Sequence, residues 1–429
     1  IKDRCSGVEL EDGHELCLLM YADDIALIAP SPEDLQQMLD VLCEWCNSWD
    51  FIVNTNKSQI MHFRAARKPV TQYEFIYNNT PMSKVDQYKY LGLYINYSLD
   101  YNITAQYVAK SASRALGLLI SKVKNFGGVS YECFIKLYNS MVVPIIRYGA
   151  SIWGRKDYPC VEAVHNRMCR FFLCVNKYTP NAAVQGDVGL ETPWHQQNME
   201  LARQWCRLTN MDGDRVNKCI FKWSLNMNCK NWIKYMKELL YKCNMTEYLD
   251  CDVICKKPFL HKLSESLSKI FIEKWQNVLN RMDGKNGKGG NKLRTYRMFK
   301  KTYVPEQYIV TIMPKCYRSA LAQFRCATAP LRIETGRYEG LPVEERFCLY
   351  CKDEVEDESH VILDCPLYNN IRFELFSKLL SHYDVFCLDK TQLLELVLAS
   401  QDPHTVRLCA KTCFSILKAR REYLYTLSP

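Results

Sequence analysis

Leu16-Cys17-Leu18-Leu19-Met20-Tyr21-Ala22-Asp23-Asp24-Ile25-Ala26-Leu27-Ile28-Ala29 decides how the N-terminal region is read. Two short apolar runs flank Tyr21-Ala22-Asp23-Asp24, which predicts two strands joined at an acidic hairpin tip. Adjacent carboxylates repel, so a fold that holds them side by side usually offers them a cation. Asp is also a common turn residue, and on the dipeptide alone an ordinary hairpin tip is the commoner reading.

The sequence around this hairpin adds weight. Ser31-Pro32-Glu33-Asp34 opens a helix, with Ser as cap, Pro in the first turn and acids at the positive end. Leu35, Met38, Leu39, Leu42, Cys46 and Trp49 follow at helical spacing and predict an apolar stripe against the sheet. Strands are expected over 59–63, 73–77 and 88–95. A helix stripe from Asn102 contains Val108, Ala112, Ala115, Leu116, Leu119, Ile120 and Val123, and Gly127-Gly128 stops it. A second helix is expected from about Ser130 to Tyr148. A third, over about 160–175, turns Val161, Val164, Met168 and Phe172 inward. Arg167 and Arg170 on that helix suit a phosphate backbone, or simply a solvated basic face. Residues 195–280 read as helical and show no chemistry.

Tyr-Ala-Asp-Asp between apolar strands resembles the catalytic hairpin of reverse transcriptases. Further landmarks keep that family's order. Phe51-Ile52-Val53-Asn54-Thr55-Asn56-Lys57-Ser58 resembles its asparagine–lysine segment, and Tyr88-Lys89-Tyr90-Leu91-Gly92-Leu93-Tyr94-Ile95 resembles its primer-gripping hairpin. Leu137-Tyr138-Asn139-Ser140-Met141-Val142-Val143-Pro144-Ile145-Ile146-Arg147-Tyr148-Gly149-Ala150 is similar to a thumb-side helix of non-LTR (LINE-type) retrotransposon polymerases. The resemblance implies an RNA-directed DNA polymerase that extends a DNA primer on an RNA template, using Mg²⁺ and nucleoside triphosphates. It makes Asp23 a metal ligand and Asp24 a ligand or close support. Tyr21 falls near the incoming nucleotide and primer end, Lys57 near the departing pyrophosphate, and Tyr90, Leu91 and Gly92 at the primer. A third metal-binding Asp belongs to an earlier palm strand in that family. None of Asp3, Glu9, Glu11, Asp12 or Glu15 lies in a run resembling it. The chain therefore reads as the C-terminal fragment of a longer polymerase, inactive alone.

Cys348-x2-Cys351-x8-His360-x4-Cys365 is the second strong signal. Zn²⁺ favours four soft or borderline ligands in a tetrahedron, and a two-residue gap lets one tight turn supply two thiolates. Four protein ligands leave no open position, which predicts a structural site. Asp353, Glu354, Glu356, Asp357 and Glu358 within the motif are hard, acidic donors and are expected to form a solvated loop. A second pair, Cys43-x2-Cys46, lies inside the first helix and reads as core. The cluster is similar to the C-terminal zinc segment of LINE polymerases, which implies help in holding template RNA or target DNA.

The net charge of +9 suits a polyanion but is modest for 429 residues. Residues 281–301 concentrate it: Arg281, Lys285, Lys288, Lys292, Arg294, Arg297, Lys300 and Lys301 against Asp283 alone. Tyr296, Phe299 and Tyr303 interleave with them. Cations and aromatic faces suit a single strand, with Lys292, Arg294 and Arg297 as phosphate contacts; a linker entering a basic helix is the alternative. The 22 scattered cysteines show no secreted disulfide framework, and no apolar run reaches membrane-spanning length. A reducing compartment, cytoplasm or nucleus, is the simplest setting. The expected architecture is an α+β palm remnant (1–98), a mostly helical thumb-like domain (99–185), a helical connector (186–290), a basic segment (291–340) and a small zinc-binding module with C-terminal helices (341–429). Two rival functions stand beside the polymerase: a non-enzymatic, zinc-containing nucleic-acid-binding remnant, and a zinc-stabilised scaffold for protein partners. Oligomeric state is not readable from the sequence.

Overall fold

The computed structural model describes residues 4–10, 13, 15–65, 67–227, 232–280 and 292–427. Arg281, Lys285 and Lys288 of the basic stretch lie outside the described residues. Two compact units share the chain. One draws on Ile1–Lys110, Arg147–Tyr158 and Gln197–Ser264, the other on Ser111–Ile146, Pro159–Gln196 and Glu265–Pro429.

The strands form antiparallel two-stranded ribbons: β1 (Val8–Glu9) with β2 (Glu15–Leu16), β3 (Leu18–Tyr21) with β4 (Asp24–Leu27), β5 (Ile76–Tyr77) with β6 (Thr80–Pro81), and β7 (Gln87–Tyr90) with β8 (Leu93–Asn96). The strand expected over 59–63 contracts to a single bridge between Ile60 and Lys84. That over 73–77 shortens to β5, and that over 88–95 divides into β7 and β8. The division has a backbone cause: Leu91 and Gly92 both take positive φ, at 46° and 83°, which no strand accommodates.

Helix α1 (Pro32–Ser48) starts as its sequence dictates. The Ser31 hydroxyl accepts from the Asp34 amide, Pro32 occupies the first turn, and Glu33 and Asp34 meet the positive helix end. Its inner face buries Met38, Leu39, Val41, Leu42 and Cys46. Leu39, Leu42 and Cys46 pack with Ile60, Phe75, Tyr77 and Met82, while Met38 and Val41 meet Cys5 and Cys17. Each such side chain contributes about 1.5–3 kcal/mol by leaving water. Cys46 is thus core, as read. Trp49 is the correction: it follows the helix as its C-cap and stands 66% exposed.

The helices continue as α2 (Asn102–Asn125), α3 (Tyr131–Met141), α4 (Val143–Arg147), α5 (Ala150–Trp153), α6 (Pro159–Leu173), α7 (Asn181–Val188), α8 (Pro193–Thr209), α9 (Val216–Asn226), α10 (Trp232–Lys242) and α11 (Lys256–Asn280). After them come α12 (Tyr296–Phe299), α13 (Gln307–Val310), α14 (Lys315–Arg325), α15 (Arg332–Thr335), α16 (Asn369–Leu379), α17 (Lys390–Ala399) and α18 (Pro403–Leu427). The single helix expected from Ser130 to Tyr148 is interrupted at Val142. Pro144 lacks the amide that would bond the Ser140 carbonyl, and its ring crowds that position. On α6, Val161, Val164, Met168 and Phe172 are all buried, as their spacing implies. Among the described residues, no helix is long and apolar enough to cross a membrane.

The second unit holds a fully buried ion cluster. Arg325 on α14 donates to Asp187 at the end of α7 through Nε (3.0 Å) and Nη2 (2.8 Å), and Nη2 also lies 3.0 Å from Glu306. Tyr308 and Tyr296 donate their hydroxyls to the same Asp187 carboxylate at 2.7 and 3.0 Å. Lys300 pairs with Glu306. Removing one partner of a buried pair leaves an uncompensated charge, at about 3–5 kcal/mol. Arg325→Met is therefore expected to lower unfolding stability by that amount in a denaturant titration. A loss below about 1 kcal/mol would show that the unit does not depend on this pair.

Candidate active site and zinc centre

Tyr21 pairs across the ribbon with Asp24, leaving a two-residue turn of Ala22 and Asp23. Ala22 carries φ 54°, so the turn is tight and left-handed at its first position. The base of the hairpin is anchored, with Leu18 and Leu27 against the core under α1. Its tip is open: Tyr21 is 66% exposed, and Asp23 and Asp24 are exposed beside it. The structure thus brings Tyr21, Asp23 and Asp24 to one solvent-facing turn. Their hard oxygen donors fit Mg²⁺. Among the described residues, no third acidic, His or Cys group completes a ligand set with Asp23 and Asp24.

Lys57 ends a turn in which its amide donates to the Asn54 carbonyl at 3.1 Å. The Tyr88 hydroxyl on β7 donates to the Lys57 carbonyl at 2.9 Å, so the lysine loop is tied to the β7–β8 ribbon. Tyr90 closes that ribbon opposite Leu93, with Leu91 and Gly92 as the turn. Tyr148 clasps this turn. Its hydroxyl donates to the Leu91 carbonyl at 2.7 Å, and a Cβ on Gly92 would lie 3.1 Å from its ring. Trp153, fully buried, donates its indole N–H to the Tyr148 carbonyl at 2.9 Å. Gly149 has φ 62°, and a Cβ there would approach Leu93 to 2.6 Å. The Tyr-Gly dipeptide of the thumb-like motif is therefore built to hold the β7–β8 turn. The sequence placed these two motifs separately and assigned Tyr148 no role.

The Cys/His residues converge as their spacing requires. The ligand atoms of Cys348, Cys351, His360 and Cys365 all lie within 4.8 Å of one another. Cys348 Sγ and Cys365 Sγ are 3.8 Å apart, and Cys351 Sγ lies 3.4 Å from His360 Nε2. A tetrahedron with bonds of about 2.3 Å to sulfur and 2.0–2.1 Å to nitrogen has edges close to these lengths, so the four residues fit Zn²⁺. Cys348 and Cys351 flank a turn that ends at Lys352 with φ 63°. His360 and Cys365, five residues apart, meet through a π-turn in which the Cys365 amide donates to the His360 carbonyl at 2.8 Å. Hydrogen bonding to Cys365 pulls the Cys348 thiol down to about 3 against the opposing effect of burial. Burial also opposes protonation of His360, but Cys348 and Glu354 outweigh it and raise the imidazole to about 9.

The acidic loop is a correction to the sequence reading. Glu354 lies 3.0 Å from His360 Nδ1, which leaves Nε2 to face Cys351. Glu356 is buried and receives both arms of Arg420 from α18, each at 2.7 Å. Glu358 is buried as well, accepting from Arg294 Nη2 at 2.7 Å and from Thr295 Oγ1 at 2.9 Å. Burial raises the Glu358 carboxyl, and Arg294 opposes that shift. Glu356 and Glu358 are internal braces, because each finds a cation that the linear sequence places far away, whereas Glu354 is exposed and meets His360 within the motif.

The basic residues separate in the same way. Arg294 is shared between Glu358 and Glu334, and Lys300 is buried against Glu306. Arg297 is half-buried. Lys292 donates to the Tyr178 carbonyl at 3.4 Å. On α6, exposed Arg167 donates to Ser113 Oγ at 2.9 Å, and Arg170 donates to the Thr179 carbonyl at 2.8 Å.

Cys351→Ser is expected to lose one equivalent of Zn²⁺ by elemental analysis and to loosen residues near the cluster, since metal binding supplies much of a small site's folding energy. Equal zinc in both proteins would remove the site. Tyr148→Phe is expected to cost about 1 kcal/mol and to speed amide exchange along β7 and β8. Unchanged exchange there would show that the clasp does not hold the turn.

A family model described as reverse transcriptase (RNA-dependent DNA polymerase) matches residues 2–95. An uncharacterized transposon-derived protein of Caenorhabditis elegans is 28% identical over 142 residues, covering 33% of this chain and 50% of the relative. The RNA-directed DNA polymerases from the mobile element jockey of Drosophila funebris and Drosophila melanogaster are 26% and 22% identical over 149 residues, 33% of this chain and 16% of each relative. The matches thus span half of the worm relative and a smaller share of the fly polymerases. The matched family segment contains the Tyr21–Asp24 hairpin, its supporting helix and the β7–β8 turn, so over residues 2–95 the chain matches the reverse transcriptase family and is similar to the RNA-directed DNA polymerases of the mobile element jockey.

Proposed function

We propose that the chain is part of an enzyme that extends a DNA primer along an RNA template from nucleoside triphosphates. The observation that carries this reading is the two-residue turn holding Asp23 and Asp24 exposed on a hairpin whose base is anchored in the core. Asp23 is a direct ligand for Mg²⁺ and Asp24 a ligand or close support. Bound Mg²⁺ supplies charge stabilisation at the attacking and leaving oxygens. Tyr21 stands beside the incoming nucleotide and primer end. Lys57 neutralises or protonates the departing pyrophosphate. Tyr90, Leu91 and Gly92 position the primer, with Tyr148 holding their turn in shape. Zn²⁺ on Cys348, Cys351, His360 and Cys365 is structural. Lys292, Arg297, Arg167 and Arg170 supply phosphate contacts, while Arg294 is engaged with Glu334 and Glu358. The setting is a reducing one, cytoplasm or nucleus.

A second reading, a nucleic-acid-binding remnant without catalysis, is favoured by one observation: no third carboxylate joins Asp23 and Asp24 among the described residues. Primer extension separates the two. On poly(A) primed with oligo(dT), the chain alone is expected to incorporate nothing above background. Joined to a palm segment that supplies the third carboxylate, it is expected to gain Mg²⁺-dependent incorporation, which Asp23→Asn abolishes. Asp23 is exposed, so Asp23→Asn is expected to change stability by no more than about 0.5 kcal/mol. Full activity in that variant would sink the assignment of the acidic pair. Failure of the joined protein to polymerise, with nucleic-acid binding intact, would favour the remnant.

A further inference from the structure

The loop between α6 and α7 presents an aromatic ring on a fixed backbone. Tyr178 is 67% exposed. Its amide donates to Asn176 Oδ1 at 2.9 Å, and the buried Thr179 donates its hydroxyl to the Asn176 carbonyl at 2.9 Å. Ser319 donates to the Cys174 carbonyl at 2.9 Å at the start of the loop. At its end, Arg170 donates to the Thr179 carbonyl at 2.8 Å and to Asn181. Lys292 reaches the Tyr178 carbonyl from a distant part of the sequence. Lys177 places its ammonium 5.0 Å from the centre of the Tyr178 ring.

This arrangement needs explaining. A large ring left in water gains nothing for the fold, yet the surrounding backbone is pinned by hydrogen bonds from four other side chains. A pinned loop loses little entropy when a ligand arrives. One cation, Lys177, stands at the ring, and two more, Arg170 and Lys292, bond the backbone carbonyls of Thr179 and Tyr178. Burial lowers the Lys292 pKa, and Glu334 and Arg337 share its surroundings with opposite effects. An exposed aromatic ring for a base, with an ammonium group beside it for a phosphate, is the chemistry of single-strand binding.

We propose that the Asn176–Pro180 loop is a contact site for single-stranded nucleic acid, with one base stacked on Tyr178 and an adjacent phosphate on Lys177. Arg170 and Lys292 hold the loop in its presenting shape and add positive potential. This deepens the polymerase reading and rests on its nucleic-acid partner. It assigns Tyr178 and Lys177, which neither the sequence motifs nor the matched family segment single out.

The test is fluorescence anisotropy of the full chain with labelled oligouridylate, oligothymidylate and a DNA duplex across a salt series. Tyr178→Ala is expected to weaken single-strand binding by about 5- to 100-fold, the effect of losing one base–aromatic stack. Tyr178→Phe is expected to bind as the parent does. Lys177→Ala is expected to lower the log–log salt slope by about one unit, and Tyr178→Ala to leave it unchanged. Ultraviolet cross-linking of an iodouracil-substituted strand to Tyr178 in the unaltered chain supplies a readout that needs no variant. Parent-like binding by Tyr178→Ala, an equal loss in Tyr178→Phe, an equal effect on duplex, or cross-links only elsewhere would each overturn the proposal while leaving nucleic-acid binding in place. Absence of any binding by the unaltered chain would overturn the polymerase reading as well.

Discussion

Asp187 and Arg325 are both fully buried, and the elements around them are arranged to satisfy their charges. Burial raises the Asp187 carboxyl, but Arg325 outweighs it and holds the group below its ordinary value. Two ions taken out of water cost several kcal/mol each, which close pairing and complete hydrogen bonding must offset. Here the offset needs Tyr296, Tyr308 and Glu306 around the pair, and the Leu398 carbonyl as acceptor for the remaining guanidinium arm. Those groups come from α12, the entry to α13 and α17. Packing alone tolerates small shifts of a helix; this cluster does not, because any displaced element strands a charge. It thereby sets the register in which 187, 296–308, 325 and 398 assemble.

The Cys/His cluster, the candidate zinc site, continues this logic within the same unit. Four ligand side chains held for one ion need a supporting shell, and the motif carries its own in Glu354, Glu356 and Glu358. Glu354 orients His360, while Glu356 and Glu358 bind Arg420 and Arg294. The Arg372 guanidinium also donates to the Cys365 carbonyl at 2.8 Å. The module is therefore joined to α16, to α18 and to the segment before α12 by charged hydrogen bonds. Acids that look like a solvated loop are what connect it to its neighbours.

The Asp23–Asp24 hairpin is under the opposite constraint. Its carboxylates remain in water, without a cationic partner among the described residues, at the tip of a ribbon of only two strands. Such a ribbon is marginal by itself, and what steadies it is burial at its base under α1. The β7–β8 ribbon solves the same problem differently, with a side chain from the remote turn between α4 and α5 on its own turn. Tyr148 and Gly149 lie over fifty residues beyond Leu91 and Leu93, and their contact explains why a left-handed Leu91 persists despite its strain.

Patterns that depend on near neighbours were legible in the sequence by itself. The acidic hairpin, the capped α1, the inward stripe of α6 and the convergence of Cys348, Cys351, His360 and Cys365 all follow from local spacing, because turn geometry and helical period act over a few residues. Even there, a tight turn in the stretch 88–95 and a proline after Val142 redrew boundaries. What only the tertiary structure decided is which charges meet. Nothing near Arg294, Glu356 or Asp187 in the sequence marks them as charge partners, since each finds its opposite 64, 64 and 138 positions away. The same holds for Tyr178, whose loop is pinned in part by a lysine 114 positions distant. Desolvation makes an unpaired buried charge so costly that the fold must supply partners from wherever the chain passes, and that choice is made in three dimensions.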